Sequence, residues 1–332
     1  MITLRIGDPH AKVSNLQEME KLMHFVNEQI IPNKVDRVEI LGDLFHTHAV
    51  LRLEVLEFWD AWIDVLTAHE QTQIIILVGN HDQSGDYADG AHALSVFKRI
   101  RKKNLHIVDS PRNLGIIGYM PYVHSNDQFL EYARSLHSNG AKVLVSHTTY
   151  QGSKFESGIY APDGVDPEQL PFDLLISGHI HSRQRFVTSR GQSVIYPGTS
   201  RWDSGSDANE PKGLWLVTHN DVSGSIESER FIDTSEVVTP IVSVEWKEGQ
   251  AEPALPARAK AHVELVGSSV FVAEAKAKLK GRCTISTKIT DRSKPSNRVA
   301  QANLGAFLET CTVGPNVDRE ALKKFMKELG LV

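Results

Sequence analysis

The chain has 332 residues, is 41% hydrophobic and carries a formal net charge of −5. That length can bury a substantial core in more than one domain, and no apolar run reaches membrane-spanning length. The charge excludes a uniformly basic nucleic-acid coat. Two distant cysteines, Cys283 and Cys311, exclude a disulfide framework and read as reduced, cytosolic thiols.

The chain opens on a strand, residues 2–6, with no charged-then-apolar leader, so the expected location is the cytoplasm. This strand ends in Gly7-Asp8-Pro9-His10. Residues 15–27 follow as a helix with Leu16, Met19, Leu22, Met23 and Val26 on one side. A second strand, 38–41, ends in Gly42-Asp43. Residues 50–69 form a helix whose apolar surface is unusually broad, from Leu51 through Trp59 and Trp62 to Leu66. It suits either a deeply buried helix or a dimer face. The run Ile74-Ile75-Ile76-Leu77-Val78 has the length and β-branching of a fully buried strand and stops at Gly79-Asn80-His81-Asp82. Residues 90–103 read as a helix whose closing Lys/Arg run suits the negative end of its dipole.

Shorter strands come next, at 106–108, 114–119 and 142–146, the last leading into His147. Residues 174–176 end in Ser177-Gly178-His179-Ile180-His181. Strands at 184–188, 193–196 and 214–218 complete a layered α/β domain over residues 1–238. A small α+β unit is expected over 239–292, with strands at 241–246, 262–266 and 284–290 and a helix at 270–279. A helical hairpin closes the chain over 293–332. In its last helix Leu322, Phe325, Met326 and Leu329 make one apolar stripe. Charge is uneven. Residues 256–332 hold 14 Lys+Arg against 7 Asp+Glu, and the preceding residues 22 against 34. The basic end suits either a polyanion or an ordinary solvated surface.

Five strand ends thus deliver Asp8, His10, Asp43, Asn80, His81, His147, His179 and His181 to one edge, where ligands bind in open α/β sheets. A single such residue after a strand is usually a cap or turn residue, but so many metal-competent side chains point to a metal site. The set mixes carboxylate, amide and imidazole donors without thiolate. That suits Mn²⁺, Fe²⁺ or Zn²⁺ better than Ca²⁺. The ligands are too many for one ion, which implies a pair about 3.5–4 Å apart sharing a carboxylate.

In order, Asp8-x-His10, Gly42-Asp43, Gly79-Asn80-His81-Asp82, His147 and Gly178-His179-x-His181 resemble the motifs of the calcineurin-like metallophosphoesterases. The resemblance implies one ion on Asp8, His10, Asp43 and His181 and another on Asp43, Asn80, His147 and His179, with Asp43 bridging. It also implies that His81 contacts the phosphate and protonates the leaving oxygen, with Asp82 orienting its ring. The fold it implies is layered, with sheets packed between helices, plus the small capping domain and the C-terminal helical hairpin.

Gly42-Asp43-Leu44-Phe45-His46 and Tyr196-Pro197-Gly198-Thr199-Ser200, with Glu210-Pro211-Lys212-Gly213 before a strand, are similar to the SbcD-type DNA-repair nucleases. That resemblance implies two divalent ions, foremost Mn²⁺ with Mg²⁺, Fe²⁺ or Zn²⁺ as alternatives. It implies 3′-to-5′ exonuclease activity on duplex ends and endonuclease activity on single strands or hairpins. The implied partners are DNA, a second copy of the chain and an SbcC-type coiled-coil ATPase docked on the C-terminal stripe. His46 would help position DNA for exonuclease cleavage. Pro9 and Ala11-Lys12 depart from the family's usual first motif, which bears on loop conformation rather than ligation. A small-molecule phosphodiesterase and a non-catalytic scaffold protein are the alternative readings.

Overall fold

A computed structural model describes residues 1–290, apart from 49, 85–90 and 101. Contacts divide the described residues into two units: Met1–Val242 with Pro256–Lys260, and Ser243–Leu255 with residues 261–290. The first unit runs β1 (Ile2–Ile6), α1 (Leu16–Ile30), β2 (Arg37–Ile40), α2 (Leu53–Thr67), β3 (Gln73–Leu77), β4 (Leu105–Val108), β5 (Arg112–Leu114) and β6 (Ile117–Met120). It continues through α3 (Asn126–Ser138), β7 (Val143–His147), β8 (Leu174–Gly178), β9 (Gln184–Val187), β10 (Ser193–Tyr196), β11 (Gly213–His219) and β12 (Ile226–Asp233).

Two six-stranded sheets result, in the orders β12-β11-β1-β2-β3-β4 and β5-β6-β7-β8-β10-β9. Their central strands β1–β4 and β6, β7, β8 and β10 pair in parallel. Parallel strands buried on both faces need unbroken apolar runs, which Ile74–Leu77 and Val143–Val145 supply. Ile75, Leu77, Tyr119, Val145, Ile176 and Trp215 pack between the sheets. On the outer face of the first sheet, Leu22, Val26, Trp59 and Ile63 of α1 and α2 cover Leu4, Ile40 and Ile76. Phe129 and Ala133 of α3 cover Leu144 and Leu175 of the second. Each such apolar side chain contributes about 1.5–3 kcal/mol by leaving water. The sheets therefore lie between helices, as the sequence predicts. A charged pair is buried between the sheets as well: Arg5 Nε stands 2.7 Å from Glu39 Oε2, and Tyr119 of the second sheet donates to Glu39.

The broad apolar surface of α2 is largely absorbed within this unit. Val55, Trp59, Trp62, Ile63 and Leu66 are buried, and the indoles donate to the Leu44 carbonyl and to Glu20. Leu53 and Val65 stay exposed.

Three local expectations are overturned. The helix expected over 90–103 is a 3₁₀ segment, Ala93–Arg99. Its buried residues Leu94 and Phe97 lie three apart, the spacing that eclipses in a 3₁₀ turn. The strand expected over 114–119 is a hairpin, because Gly115 takes a φ of +66° and reverses the chain between β5 and β6. Finally, β12 was not expected, because its sequence IESERFID lacks apolar alternation. It is a sheet edge held by backbone pairing with β11.

The second unit contains most of β13 (Ile241–Lys247) and β14 (Lys260–Gly267), then α4 (Ser269–Leu279) and β15 (Thr284–Ile289). The strands form one sheet in the order β13-β14-β15. β14 and β15 pair in parallel, so α4 is the crossover such a pair requires. Trp246, Val263, Leu265, Val272 and Leu279 form its core. Ser268 caps α4 by accepting from the Phe271 amide. The C-terminal hairpin expected over 293–332 lies outside the described residues.

Candidate metal centre

The parallel strands of both sheets point their carboxyl ends the same way, and the predicted ligands gather there. Asp8 and His10 follow β1, Asp43 follows β2, and Asn80 and His81 follow β3. His147 ends β7, and His179 and His181 follow β8. The turns are tight enough to force unusual backbone. Asp8, His10, Asp43 and His179 all have positive φ, between 30° and 80°. Such conformations cost non-glycine residues about 1–3 kcal/mol each and cluster at functional sites.

The glycines in the motifs are dictated by close approach. A Cβ on Gly42, itself at φ +110°, would meet His147 Nδ1 at 2.3 Å, and one on Gly79 would meet Asp43 Oδ1 at 2.1 Å. The Tyr196-Pro197-Gly198-Thr199-Ser200 motif ties the ligand loops together. Ser200 N donates to the Gly7 carbonyl at 3.1 Å and Thr199 N to the His181 carbonyl at 3.0 Å.

Asp43 sits at the centre. Its Oδ2 lies 3.6 Å from His10 Nε2 and 3.4 Å from His147 Nε2, and its Oδ1 accepts from the His81 amide at 2.8 Å. Asn80 Oδ1 lies 3.0 Å from His147 Nε2 and 2.8 Å from His179 Nδ1. Among the described residues, two groups have ligand atoms within 4.8 Å of one another: Asp43 with His147 and His179, and Asp43 with His10 and His81. His181 Nε2 stands 3.0 Å from His10 Nε2, at the edge of the second group.

The electrostatics are those of a site built around positive charge. Burial would raise the Asp43 carboxyl, but facing His147 and then His10 hold it well below the usual carboxylate range. Burial, partly offset by His147, pushes Asp8 up to about 6. Burial opposes the charge on His147, yet Asp43 and Asp8 push it up to about 9. Burial lowers His10 and His179 to about 3 each, so both are neutral imidazoles at neutral pH, the form that ligates a cation.

Divalent cations fit this donor set. Asp8 Oδ2 and His10 Nδ1 are buried without a hydrogen-bond partner. The His147 ring is fixed by its Nδ1–H donating to the Leu41 carbonyl at 2.7 Å, which leaves Nε2 turned to Asp43. With oxygen and imidazole donors and no thiolate, the ligands suit Mn²⁺, Fe²⁺ or Zn²⁺.

One expectation about a neighbour needs correction. Asp82 does not orient the His81 ring. Its carboxylate accepts from the Phe45 and Gly79 amides at 3.1 and 2.9 Å and so holds the turn. Burial, then Asp43, pushes it up to about 8. The His81 ring is held instead by its Nδ1–H donating to the His46 carbonyl at 2.8 Å. His48, which sequence reasoning passed over, stacks on His81 with centroids 4.1 Å apart and contacts the Asn80 carbonyl through Nδ1. The His46 ring is half-exposed, 6.1 Å from His81, with Nδ1 3.6 Å from Asp203.

Sequence reasoning also gave Lys212 no role. It is fully buried, with Nζ 2.8 Å from the His181 carbonyl and 2.8 Å from Asp207 Oδ1. Asp207 in turn takes the amides of Asp203 and Ser204 and lies 3.8 Å from His181 Nδ1. Lys212 and Asp207 therefore fix the loop that presents His181. Outer partners of this kind typically change metal affinity about 10–100-fold. The triple change Lys212→Met with Asp207→Asn and Glu210→Gln, which removes the ammonium together with both carboxylates that face it, should weaken Mn²⁺ binding by that factor in a calorimetric titration. Unchanged affinity would mean that the pair merely fills space.

Residues 2–183 match the family model described as calcineurin-like phosphoesterase. A protein of Invertebrate iridescent virus 6 described as a phosphoesterase is 31% identical over 227 residues, 66% of this chain and 76% of the viral one. The SbcD component of the SbcCD nuclease of Staphylococcus saprophyticus is 22% identical over 247 residues, 66% of this chain and 63% of that protein. Exonuclease subunit 1 of Enterobacteria phage T4 is 25% identical over 183 residues, 53% of this chain and 50% of that one.

Proposed function

The chain belongs to the calcineurin-like phosphoesterases, and from that premise we propose that it is a metal-dependent DNA nuclease, active on duplex ends and on single strands or hairpins. The observation that carries this reading is the convergence of Asp8, His10, Asp43, Asn80, His147, His179 and His181 at the carboxyl ends of parallel strands of both sheets, with Asp43 shared by both ligand groups. Similarity to a component of an SbcCD nuclease and to part of a phage exonuclease favours DNA over a small diester as substrate.

In this reading Asp8, His10, Asp43 and His181 hold one ion, and Asp43, Asn80, His147 and His179 the other. A bound ion pair supplies Lewis acidity and a water nucleophile at neutral pH. His81 gives a proton to the departing sugar oxygen. His46 and His48, beside it, contact the substrate strand. The chain works as a dimer with an SbcC-type ATPase, which the stripe of Leu322, Phe325, Met326 and Leu329 engages. Among the described residues, no helix is long and apolar enough to cross a membrane.

The test is an end-labelled duplex and a labelled hairpin incubated with the protein and Mn²⁺, with and without chelator and with and without the ATPase. Expected is Mn²⁺-dependent shortening from 3′ ends and nicking of the hairpin. Hydrolysis of a chromogenic phosphodiester without any cut in DNA would overturn the DNA assignment and leave a small-molecule phosphodiesterase.

A further inference from the structure

Beside the metal centre, within the same unit, lies a cavity of 350 Å³. Its wall on that side is Tyr122, whose ring centroid is 5.8 Å from that of His179 and 6.2 Å from that of His147. The backbone holds this ring in place: Tyr122 N donates to the Val78 carbonyl at 2.8 Å, and Gln83 donates to the Tyr122 carbonyl at 3.1 Å. Val78 and Gln83 flank the Gly79-Asn80-His81-Asp82 turn, so Tyr122 is anchored to the loop that presents Asn80. Beyond Tyr122 the cavity lining includes His124, Tyr132, Gln128, His92 and Asp109.

This lining combines flat rings with hydrogen-bonding groups. His124 meets the Tyr122 ring edge-on at 4.9 Å. Gln128 is fixed by donating to the Tyr132 hydroxyl at 2.8 Å. The His92 side chain is only 6% exposed, and its Nε2 faces Asp109 at 3.2 Å, while its Nδ1 has no hydrogen-bond partner. Aromatic faces with a few polar groups are what proteins use to hold unpaired bases.

We propose that this cavity takes one nucleobase of the cleaved strand, stacked on Tyr122, and that Tyr122 thereby sets which phosphate enters the metal centre. The inference rests on the DNA reading above and deepens it, because a base one nucleotide from a phosphate at His147 and His179 falls within reach of Tyr122. Tyr122 acts here by binding and registering the strand, not by taking part in bond breaking.

The experiment uses the full-length protein with Mn²⁺ and single-stranded oligonucleotides that carry one abasic residue, moved stepwise across the cleaved bond. For the wild type, kcat/KM should fall about 10-fold when the abasic residue occupies one particular position, and little elsewhere. Tyr122→Leu should erase that position dependence, and Tyr122→Phe should keep it. Each reading is a ratio within one variant, so a reduced folded fraction cancels. Position dependence that is absent from the wild type, or that survives in Tyr122→Leu, overturns the base pocket while the DNA reading stands. If the wild type cuts duplex ends but not the unmodified oligonucleotide, this inference falls alone; if it cuts neither, the DNA reading falls and this inference with it.

Discussion

Replacing Asp43 with alanine should lower metal-dependent hydrolysis at least about 1,000-fold and should reduce bound manganese at saturation from two ions per chain to one or none. The expectation comes from position. Asp43 is the residue shared by both ligand groups, with Oδ2 within 3.6 Å of His10 and 3.4 Å of His147. The other members of the two groups each belong to one of them. Loss of Asn80 should therefore be felt by one ion, while loss of Asp43 is felt by both. The carboxyl is nearly fully buried and is held in its ionised form by the surrounding histidines, so it is the fixed negative charge around which two cations can approach each other. Asp43→Asn keeps the shape and an acceptor for the His81 amide, removes the charge, and should be nearly as inactive. Metal analysis by mass spectrometry under native conditions checks the count. A wild-type protein that saturates at one ion, or an Asp43→Ala protein that retains two, would remove Asp43 from the bridging role.

The sheets, and which side chains stand at their strand ends, were readable because both rest on local rules. A buried parallel strand needs a run such as Ile74–Leu77 and ends abruptly where its ligand loop begins. A residue at such an end reaches the same edge as every other, whatever the distance along the chain. The hairpin at Gly115 and the edge strand β12 were less legible. One turns on a single residue's φ, and the other, IESERFID, lacks the apolar alternation by which a strand is read. Within the site, the placement of polar side chains at strand ends carried over from sequence to structure better than the contacts of their neighbours did. Asp82 follows His81 directly, yet consecutive residues after a strand point in different directions, and its carboxylate turned back to the Phe45 and Gly79 amides. Lys212 lies 31 residues from His181 in sequence, and nothing in its own stretch announces that its ammonium caps the His181 carbonyl. His48 looked like an ordinary loop histidine until its ring was seen stacked on His81.

The second large effect is expected at His81, and its size should depend on the leaving group. His81 Nδ1–H donates to the His46 carbonyl, so Nε2 is the nitrogen left to handle a proton. His48 stacks on one face at 4.1 Å and His10 meets the ring near its edge at 4.8 Å, so little rotation is open to it. A ring fixed in this way can deliver a proton along one line, which is what a general acid requires. DNA cleavage expels a sugar alkoxide, a poor leaving group that benefits from protonation as the bond breaks. A nitrophenolate leaves without that help. His81→Ala should therefore lose about 100–10,000-fold in kcat on DNA and far less on a nitrophenyl phosphodiester. The same geometry offers a competing role, since His81 lies with His10 and Asp43 in a group able to hold an ion. The two roles separate cleanly. If His81 is a ligand, His81→Ala loses an ion from the Asp8/His10 side, and hydrolysis falls alike for both leaving groups. If it is the acid, both ions stay and only the poor leaving group suffers. Measuring metal content together with the ratio of the two rates decides between them, and equal losses on the two substrates would rule out the acid role.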